Sequence, residues 1–232
     1  MNDRFYFDGL LDGPCIIRGA EFHHIAHVMR IKIGEEIELV NGRGQIAQAQ
    51  LQRLEKEAAH LAILNVEQSP PPAFSIILAL PLLRMERLEW AIEKATELGA
   101  DGFRLFSAEK GEKDNLSDHQ FDRLRHMAIS AMKQCGRLYL PSLEFFPSLC
   151  DAWLPSAAAF FGDTDPNAPP LSLVPNRSDL LFVSGPEKGF SSQELEFLKQ
   201  HAQAIRLSSH ILRAETAPIA AIALLSQPRL LQ

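Results

Sequence analysis

Cysteine is scarce in this sequence, and long apolar runs are absent. The three cysteines, Cys15, Cys135 and Cys150, are widely spaced and form no C-x-x-C pair, so neither a disulfide framework nor a zinc site is indicated. We expect a buried structural thiol rather than a nucleophile at Cys135. No apolar run reaches the ~18 residues of a membrane span, and residues 1–4 carry no signal-peptide core. These absences predict a cytoplasmic protein without a membrane partner or a metal.

Positive charge is not in excess either. Lysine and arginine total 23 against 29 acidic residues, for a net charge of −6, which argues against a chain wrapped wholesale in nucleic acid but allows a local basic face. The Walker pattern G-x-x-x-x-G-K-[ST] is missing, and so is G-x-G-x-x-G, so ordinary dinucleotide binding lacks its fingerprint. The apolar fraction of 46% and charged fraction of 22% are those of a globular chain.

The sequence falls into two regions that differ in the spacing of their apolar residues. Residues 1–68 show period-two alternation around a Gly42-Arg43-Gly44 turn, which predicts antiparallel strands. A short helix over Glu21–Met29, with Phe22, Ile25, Val28 and Met29 on one face, would close them into a small β-barrel. Residues 69–73, rich in proline, form a stiff linker.

After the linker, residues 74–232 alternate strands with helices, which indicates a parallel α/β domain. Candidate capping boxes begin two of the helices, at Ser117 with Gln120 and at Ser191 with Glu194. A third helix has Leu88, Ile92, Ala95 and Leu98 on one face and stops at Gly99. The predicted strands cover residues 75–80, 102–106, 157–161, 180–183 and 205–207.

Two polar turns in this region are the strongest functional signal. The apolar strand Leu180–Val183 runs into Ser184-Gly185-Pro186-Glu187-Lys188-Gly189-Phe190, and Ile211–Ala217 then opens an apolar helix. In open α/β sheets, ligands bind at the carboxyl ends of strands, where such turns collect. The pattern fits a backbone ligand cradle and fits equally a plain strand-to-helix connection capped by Ser191.

Charged residues near these turns are candidates for chemistry. Arg213 lies between Leu212 and Ala214, and an arginine among apolar residues usually has a partner or an anionic ligand. Glu215 near a helix start is favoured by the helix dipole, which gives it a scaffold role as the alternative. Arg137 lies at the end of another helix. Its simplest explanation is that its positive charge compensates the partial negative charge of that helix C-terminus.

A cluster of cations and aromatic rings marks the first region. Interleaving of this kind suits RNA phosphate contacts and base stacking. Solvated or capping histidines are the plainer interpretation, and three imidazoles without a carboxylate at ligand spacing make a weak zinc case. The cluster consists of Arg4, Phe5, Tyr6, Phe22, His23, His24, His27 and Arg30.

Taken together, these segments resemble the RsmE family, the 16S ribosomal RNA uridine N3-methyltransferases of the SPOUT class. Gly185-Pro186-Glu187-Lys188-Gly189-Phe190-Ser191 and Ile211-Leu212-Arg213-Ala214-Glu215-Thr216-Ala217 match G-P-E-G-G-F-S and I-L-R-T-E-T-A, a specific pair in that order. Further matches are Arg4-Phe5-Tyr6, His23-His24-x-x-His27-Val28-Met29-Arg30, residues 87–99, and Gln134-Cys135-Gly136-Arg137-x-x-x-Pro141.

The resemblance implies a PUA-like RNA-binding β-barrel over 1–68 and a SPOUT α/β methyltransferase domain over 74–232 with a deep trefoil knot. It implies S-adenosylmethionine as cofactor, a homodimer, and 16S rRNA or the small ribosomal subunit as partner. The implied catalytic residues are Arg213, Arg137 and Glu215. The implied RNA-binding residues are Arg4, Tyr6, His23, His24 and Arg30. The implied cofactor-binding residues are Leu80, Gly185, Pro186, Glu187, Gly189, Leu207, Ser208, Ile211, Leu212 and Ala217.

Several positions depart from the family pattern. Lys188 replaces a glycine, Ser209-His210 stands where Gly-x-Arg is common, and Ala214 replaces a threonine. Leu82-Leu83 replaces Lys-Gly, and Ala108-Glu109-Lys110 matches an E-R-S segment only loosely. Two alternatives therefore stay open: a weak or inactive RNA-binding and ribosome-assembly factor, and a SPOUT methyltransferase acting on another RNA, such as a tRNA 2′-O-methyltransferase.

Overall fold

The computed structural model describes residues 4–171 and 178–231. The chain divides into two compact units. The first consists of Met1–Pro71 together with Met132–Leu140, and the second of Pro72–Ala131 together with Pro141–Gln232. The contiguous domains 1–68 and 74–232 stay a prediction. No helix among the described residues is long and apolar enough to cross a membrane.

The first unit is built on a five-stranded mixed sheet. Its strands run in the order β1-β3-β4-β5-β2, with β1 parallel to β3 and the other pairs antiparallel. Buried residues of all five strands share one core, so the sheet curls around it. The strands are β1 (Arg4–Tyr6), β2 (Cys15–Ile17), β3 (Glu36–Val40), β4 (Gln45–Leu54) and β5 (Ala59–Gln68).

A short helix packs against this core and changes type midway. The α-helix α1 (Gly19–His23) continues into a π-helix over His24–Val28. Phe22 and Ile25 are buried as predicted, but Val28 and Met29 are 57% and 40% exposed. The predicted single face was wrong because the Met29 N–H donates to the His24 carbonyl across five residues, which shifts the following side chains around the axis.

The cysteines divide between interior and surface. Cys15 on β2 is 2% exposed, and burial, followed by the nearby Asp12 charge, raises the pKa of its thiol. Cys135 and Cys150 are exposed. The expectation of a buried Cys135 was wrong, because the residue ends its helix, where Gly136 turns the chain at φ +85°.

The second unit contains a six-stranded sheet in which every pairing is parallel. The order is β11-β9-β10-β6-β7-β8, which confirms the predicted parallel α/β arrangement. The strands are β6 (Ile76–Pro81), β7 (Gly102–Phe106), β8 (Ser142–Phe146), β9 (Ala158–Gly162), β10 (Leu180–Val183) and β11 (Gln203–Ile205). The helices are α2 (Met85–Glu97), α3 (Asp118–Cys135), α4 (Ser192–His201) and α5 (Thr216–Leu225), followed by a 3-10 helix over Gln227–Leu231.

Five strand assignments differ from the sequence prediction, and two of them, β6 and β9, are shifted by only one residue from the predicted 75–80 and 157–161. The short strand β2 and the edge strand β8 were missed, and β8 is only half buried, so it lacks the continuous apolar run of a central strand. The last strand was predicted at 205–207 but ends at Ile205. The deep knot stays a prediction.

Helix boundaries follow the sequence signals closely. The Ser191 hydroxyl accepts the Glu194 N–H at 3.0 Å, and the Glu194 carboxylate accepts the Ser191 N–H at 2.8 Å, so this capping box is confirmed. The box of Ser117 with Gln120 is also present. Leu98, predicted on the buried face of α2, is 37% exposed because it lies at the C-cap.

Candidate functional site

The candidate site lies where the chain order of the parallel sheet reverses. From the central strand β6 the chain moves to β7 and β8 on one side, whereas β9, β10 and β11 lie on the other. The carboxyl ends of β6 and β10 therefore border a crevice of the kind in which open α/β sheets bind ligands. Ser184 directly follows β10, and Leu82 directly follows β6.

The first turn is closed by backbone hydrogen bonds. Ser184 is 1% exposed, and its N–H donates to the Ala79 carbonyl at 3.0 Å. The Gly189 N–H donates to the Pro186 carbonyl at 2.8 Å, with Gly189 at φ +70°. Within the described ranges Arg30 is the only non-glycine residue at positive φ, so Lys188 occupies ordinary backbone. The replacement of glycine by Lys188 thus does not distort the turn.

Gly185 is required by close packing rather than by its dihedral angle. A Cβ at this position would lie 3.1–3.4 Å from ring atoms of Phe190, tighter than ordinary van der Waals contact. The Phe190 ring in turn meets Phe161 edge-on at 6.2 Å. An alanine at position 185 would therefore push against an aromatic ring that is itself held in place.

The second turn packs directly against the first. The buried Ser184 hydroxyl donates to the Ala214 carbonyl at 3.2 Å. The neighbouring Arg213 carbonyl accepts the N–H groups of Thr216 at 2.9 Å and Ala217 at 3.0 Å, which begins α5 with Glu215 as its N-cap. The two turns picked out from the sequence are thus brought together.

A charged network spans both turns. Arg87 on α2 donates from Nη1 to Glu187 Oε1 at 2.8 Å, and its Nε lies 3.8 Å from Glu215 Oε1. Glu215 is 8% exposed, and within the described part of the chain its Oε2 has no hydrogen-bond partner. Arg213 Nη1 lies 3.9 Å from Glu215 Oε1, and the Arg213 side chain is 78% exposed. Sequence reasoning gave Arg87 no role.

The loop after β7 forms a further wall of the site. Glu194 is 6% exposed, and its Oε1 accepts the Glu109 N–H at 3.0 Å while Oε2 caps α4. Lys110 Nζ donates to the Phe190 carbonyl at 2.9 Å. The segment Ala108-Glu109-Lys110, a loose family match, is therefore anchored to the first turn. Glu194 was predicted only as a cap, and its second role could not be read from local sequence.

The remaining residues of the predicted cofactor set differ in exposure. Leu80 is buried within β6, and Pro186 is buried in the first turn. Leu207, Ser208, Leu212 and Ala217 are half-buried. Ile211 is 83% exposed, an unusual position for an apolar side chain beside a turn. The Ser208 hydroxyl accepts the His210 N–H at 3.1 Å. This hydrogen bond holds the backbone of Ser209-His210, where the sequence departs from the family pattern.

Arg137 and the predicted RNA-binding residues belong to the first unit. The Arg137 N–H donates to the Met132 carbonyl at 3.1 Å and closes α3. Arg4 donates from Nε and Nη2 to Glu38 at 3.1 and 3.0 Å. The Tyr6 N–H donates to Glu21, which also accepts from Lys133.

The predicted histidines lie along α1 and the π-helix. His24 meets Phe5 edge-on at 5.3 Å, and the rings of His23 and His27 are 5.1 Å apart. In the described ranges no group of three or more His, Cys, Asp or Glu could hold a metal ion. Arg30 follows at φ +56°, and strained backbone of this kind is concentrated at functional sites.

Two family models match the chain. One, described as RNA methyltransferase domain, matches residues 69–226, and the other, RNA methyltransferase PUA domain, matches residues 17–64. Fold and site thus define a class of protein, the RNA methyltransferases with a PUA domain, and the chain is an enzyme of that class. The predicted PUA-like first domain and α/β methyltransferase domain are confirmed.

Individual relatives narrow the assignment. Ribosomal RNA small subunit methyltransferase E of Mycobacterium tuberculosis is 30% identical over 95% of this chain and 88% of the relative, and that of Bacillus subtilis is 29% identical over 90% and 88%. A crystal structure of the Neisseria gonorrhoeae enzyme bound to S-adenosyl methionine superposes with a TM-score of 0.86 at 26% identity, covering 98% of both chains. The chain belongs to the ribosomal RNA small subunit methyltransferase E family.

Proposed function

We propose that the chain transfers a methyl group from S-adenosylmethionine to N3 of a uridine in 16S ribosomal RNA. The observation that carries the proposal is the Ser184–Ala214 hydrogen bond, which joins both family-matching turns at the carboxyl edge of the sheet. Membership of the ribosomal RNA small subunit methyltransferase E family supports the substrate class. Cytoplasm is the expected location because small ribosomal subunits are assembled there.

The joined turns fit the proposed cofactor chemically. Ile211 offers an exposed apolar surface for an adenine ring. No described atom lies within 4 Å of a Cβ built on Gly189, so a ligand can approach that backbone closely. The proposed contact residues are Leu80, Gly185, Pro186, Glu187, Gly189, Leu207, Ser208, Ile211, Leu212 and Ala217.

The bound cofactor supplies an electrophilic methyl group, and the protein supplies alignment and electrostatics. Uridine N3 must lose its proton before or during attack. Arg213 is held by its backbone at the start of α5 while its guanidinium is exposed, so it can stabilise negative charge on the uracil carbonyls. Arg137 is the second candidate for that role. Glu215 is the proposed acceptor of the N3 proton, because one of its oxygens is uncommitted among the described residues.

The proposed RNA surface lies on the first unit and includes Arg4, Tyr6, His23, His24 and Arg30. Two observations support it. The strained Arg30 follows a π-helix, and such helices occur often at functional sites. The exposed Val28 and Met29 beside it offer apolar contact for unstacked bases.

A homodimer belongs to the same proposal. Helix α5 is apolar throughout, with Pro218, Ala221, Ile222 and Leu225 forming its buried face. Its other face leaves Leu224 41% exposed, and Trp90 on the packed helix α2 is also 41% exposed. Helices that are apolar on all sides are normally covered, and a second copy of this chain is the proposed cover. The trefoil knot is also proposed, because the chain returns from β11 to Ser184 before α5 packs on β6 and β10.

Calorimetry with S-adenosylmethionine tests the cofactor part of the proposal. Saturable binding is the expected result. Absence of binding would favour the non-catalytic assembly factor, although the intact turn around Lys188 removes the structural reason for that alternative. Product analysis separates uridine N3 methylation from ribose methylation of another RNA.

A further inference from the structure

Arg87 lies between two carboxylates that belong to different turns. It donates to Glu187 Oε1 at 2.8 Å in the first turn, and its Nε lies 3.8 Å from Glu215 Oε1 in the second. The Arg87 and Glu187 side chains are 35% and 32% exposed, whereas that of Glu215 is 10% exposed. The guanidinium therefore reaches from the surface of α2 to a nearly buried acid at the start of α5.

An arginine fork suits this geometry better than an ammonium does. Its planar guanidinium presents several donors in fixed directions and can serve two acceptors at once, whereas an ammonium is a point charge. A buried carboxylate without compensation is costly, and the exposed Arg213 at 3.9 Å screens Glu215 only weakly. Without Arg87, Glu187 would lose its hydrogen bond, and Glu215 would lose the less exposed of the two arginines beside it.

We infer that Arg87 is a positioning residue that sets the spacing of the two turns and thereby the affinity for S-adenosylmethionine. The inference rests on the proposed cofactor role of those turns. Arg87 acts through Glu187 and Glu215. The turns are also joined by the Ser184–Ala214 hydrogen bond, so the fold survives the loss of Arg87 while the register of the turns loosens.

A matched control exists on the same helix. Arg84, the N-cap residue of α2, pairs with Glu112 at 3.4 Å, and both side chains are exposed, at 67% and 47%. Among the described residues, the Arg84 and Glu112 side chains form no hydrogen bond or ion pair with either turn. Arg84→Ala removes an arginine and its exposed ion pair from the same helix but leaves the network of Glu187 and Glu215 intact.

The experiment measures cofactor dissociation constants by calorimetry and methyl-transfer kinetics for the wild-type chain and five variants. Arg87→Ala should weaken S-adenosylmethionine binding about tenfold, equivalent to about 1.4 kcal/mol. The KM for the cofactor should rise accordingly, while kcat at saturating cofactor changes much less. Arg87→Lys should restore part of the affinity, and Arg84→Ala should match wild type because an exposed ion pair contributes little. Arg87→Ala combined with Glu187→Gln should lose less affinity than the sum of the losses in Arg87→Ala and in Glu187→Gln alone, since both changes break the same interaction.

Three results would overturn the inference while leaving the proposed function standing. These are wild-type affinity in Arg87→Ala, an equal loss in Arg84→Ala, or additive losses in the double variant. A melting temperature of Arg87→Ala far below that of wild type, without partial rescue by lysine, would also overturn it, because the role would then be purely structural. A wild-type chain that binds no S-adenosylmethionine would overturn the proposed function itself.

Discussion

Arg213 shows how backbone and side chain of one residue can have separate tasks. Its carbonyl accepts two N–H groups at the start of α5, an interaction that any residue at this position would make. Its side chain is 78% exposed, with Glu215 Oε1 3.9 Å away. The stabilising part of the residue is therefore retained when the side chain is removed, and the part proposed for catalysis is lost.

We predict that Arg213→Ala keeps the wild-type melting temperature and lowers methyl transfer at least ~100-fold, the usual effect of removing one charge-stabilising donor from an active site. The measurement is a tritiated-methyl assay on undermethylated small-subunit RNA. Arg84→Ala serves as the control for loss of an exposed arginine. Unchanged activity in Arg213→Ala would remove this residue from the mechanism.

At single positions, sequence predicted roles that depend on neighbours in the chain and missed those that depend on distant segments. The Ser191 cap was predictable because its partner Glu194 is three residues away. The contact of Glu194 with the Glu109 N–H and the contact of Arg87 with Glu187 join separate elements. No local pattern reports such contacts.

Among the elements, the Pro186–Gly189 turn is the most sensitive to substitution. Gly189 lies at φ +70°, and a Cβ there meets no described atom within 4 Å. Another residue is therefore disfavoured by backbone strain alone and not by a steric clash. Gly189→Ala should cost about 1 kcal/mol of stability and weaken S-adenosylmethionine binding, measured by thermal unfolding and calorimetry.

The matched control for Gly189→Ala is Gly13→Ala in the first unit. That glycine also has no described neighbour within 4 Å of its Cβ position, but its φ is outside the positive range. Gly13→Ala should leave stability and cofactor affinity at wild-type values. Equal effects of both substitutions would show that the positive φ of Gly189 is unimportant.

Element prediction succeeded where periodicity was strong and failed where context decides. The four-residue strand β10 was predicted with its correct bounds because it is a continuous buried run. The π-helix after α1 could not be predicted, since a hydrogen bond across five residues, such as that from the Met29 N–H to the His24 carbonyl, has no signature in the local sequence. Edge strand β8 was missed because its sequence, Ser142–Phe146, mixes polar and apolar residues and forms no continuous apolar run.

At the scale of the whole molecule, residues 132–140 show the limit of a linear reading. Contacts group them with the first unit, through Lys133 with Glu21 and the Leu140 N–H with the Gly42 carbonyl. In the sequence these residues lie inside the α/β region. Only their contacts with residues far away along the chain show that they pack with the first unit. The structural class of both units was nonetheless predictable from the spacing of apolar residues and from the sequence motifs.

Assembly state is the second property at this scale. We predict that the chain sediments as a dimer and that Leu224→Glu shifts it to monomer, because a charge would then lie on the apolar face of α5 proposed to meet a second copy. Sedimentation velocity measures this directly. Leu64→Glu, at a position 52% exposed on β5, is the control and should remain dimeric. A monomeric wild-type chain would contradict the proposed dimer.

The most direct test of the central claim is mass spectrometry of the methylated product. The purified chain is incubated with S-adenosylmethionine and small-subunit ribosomal RNA that lacks the modification, and the RNA is digested to nucleosides. The proposed function predicts that 3-methyluridine appears with the wild-type chain and is lost with Arg213→Ala. A ribose-methylated nucleoside, or no methylated product from a chain that binds the cofactor, would contradict it.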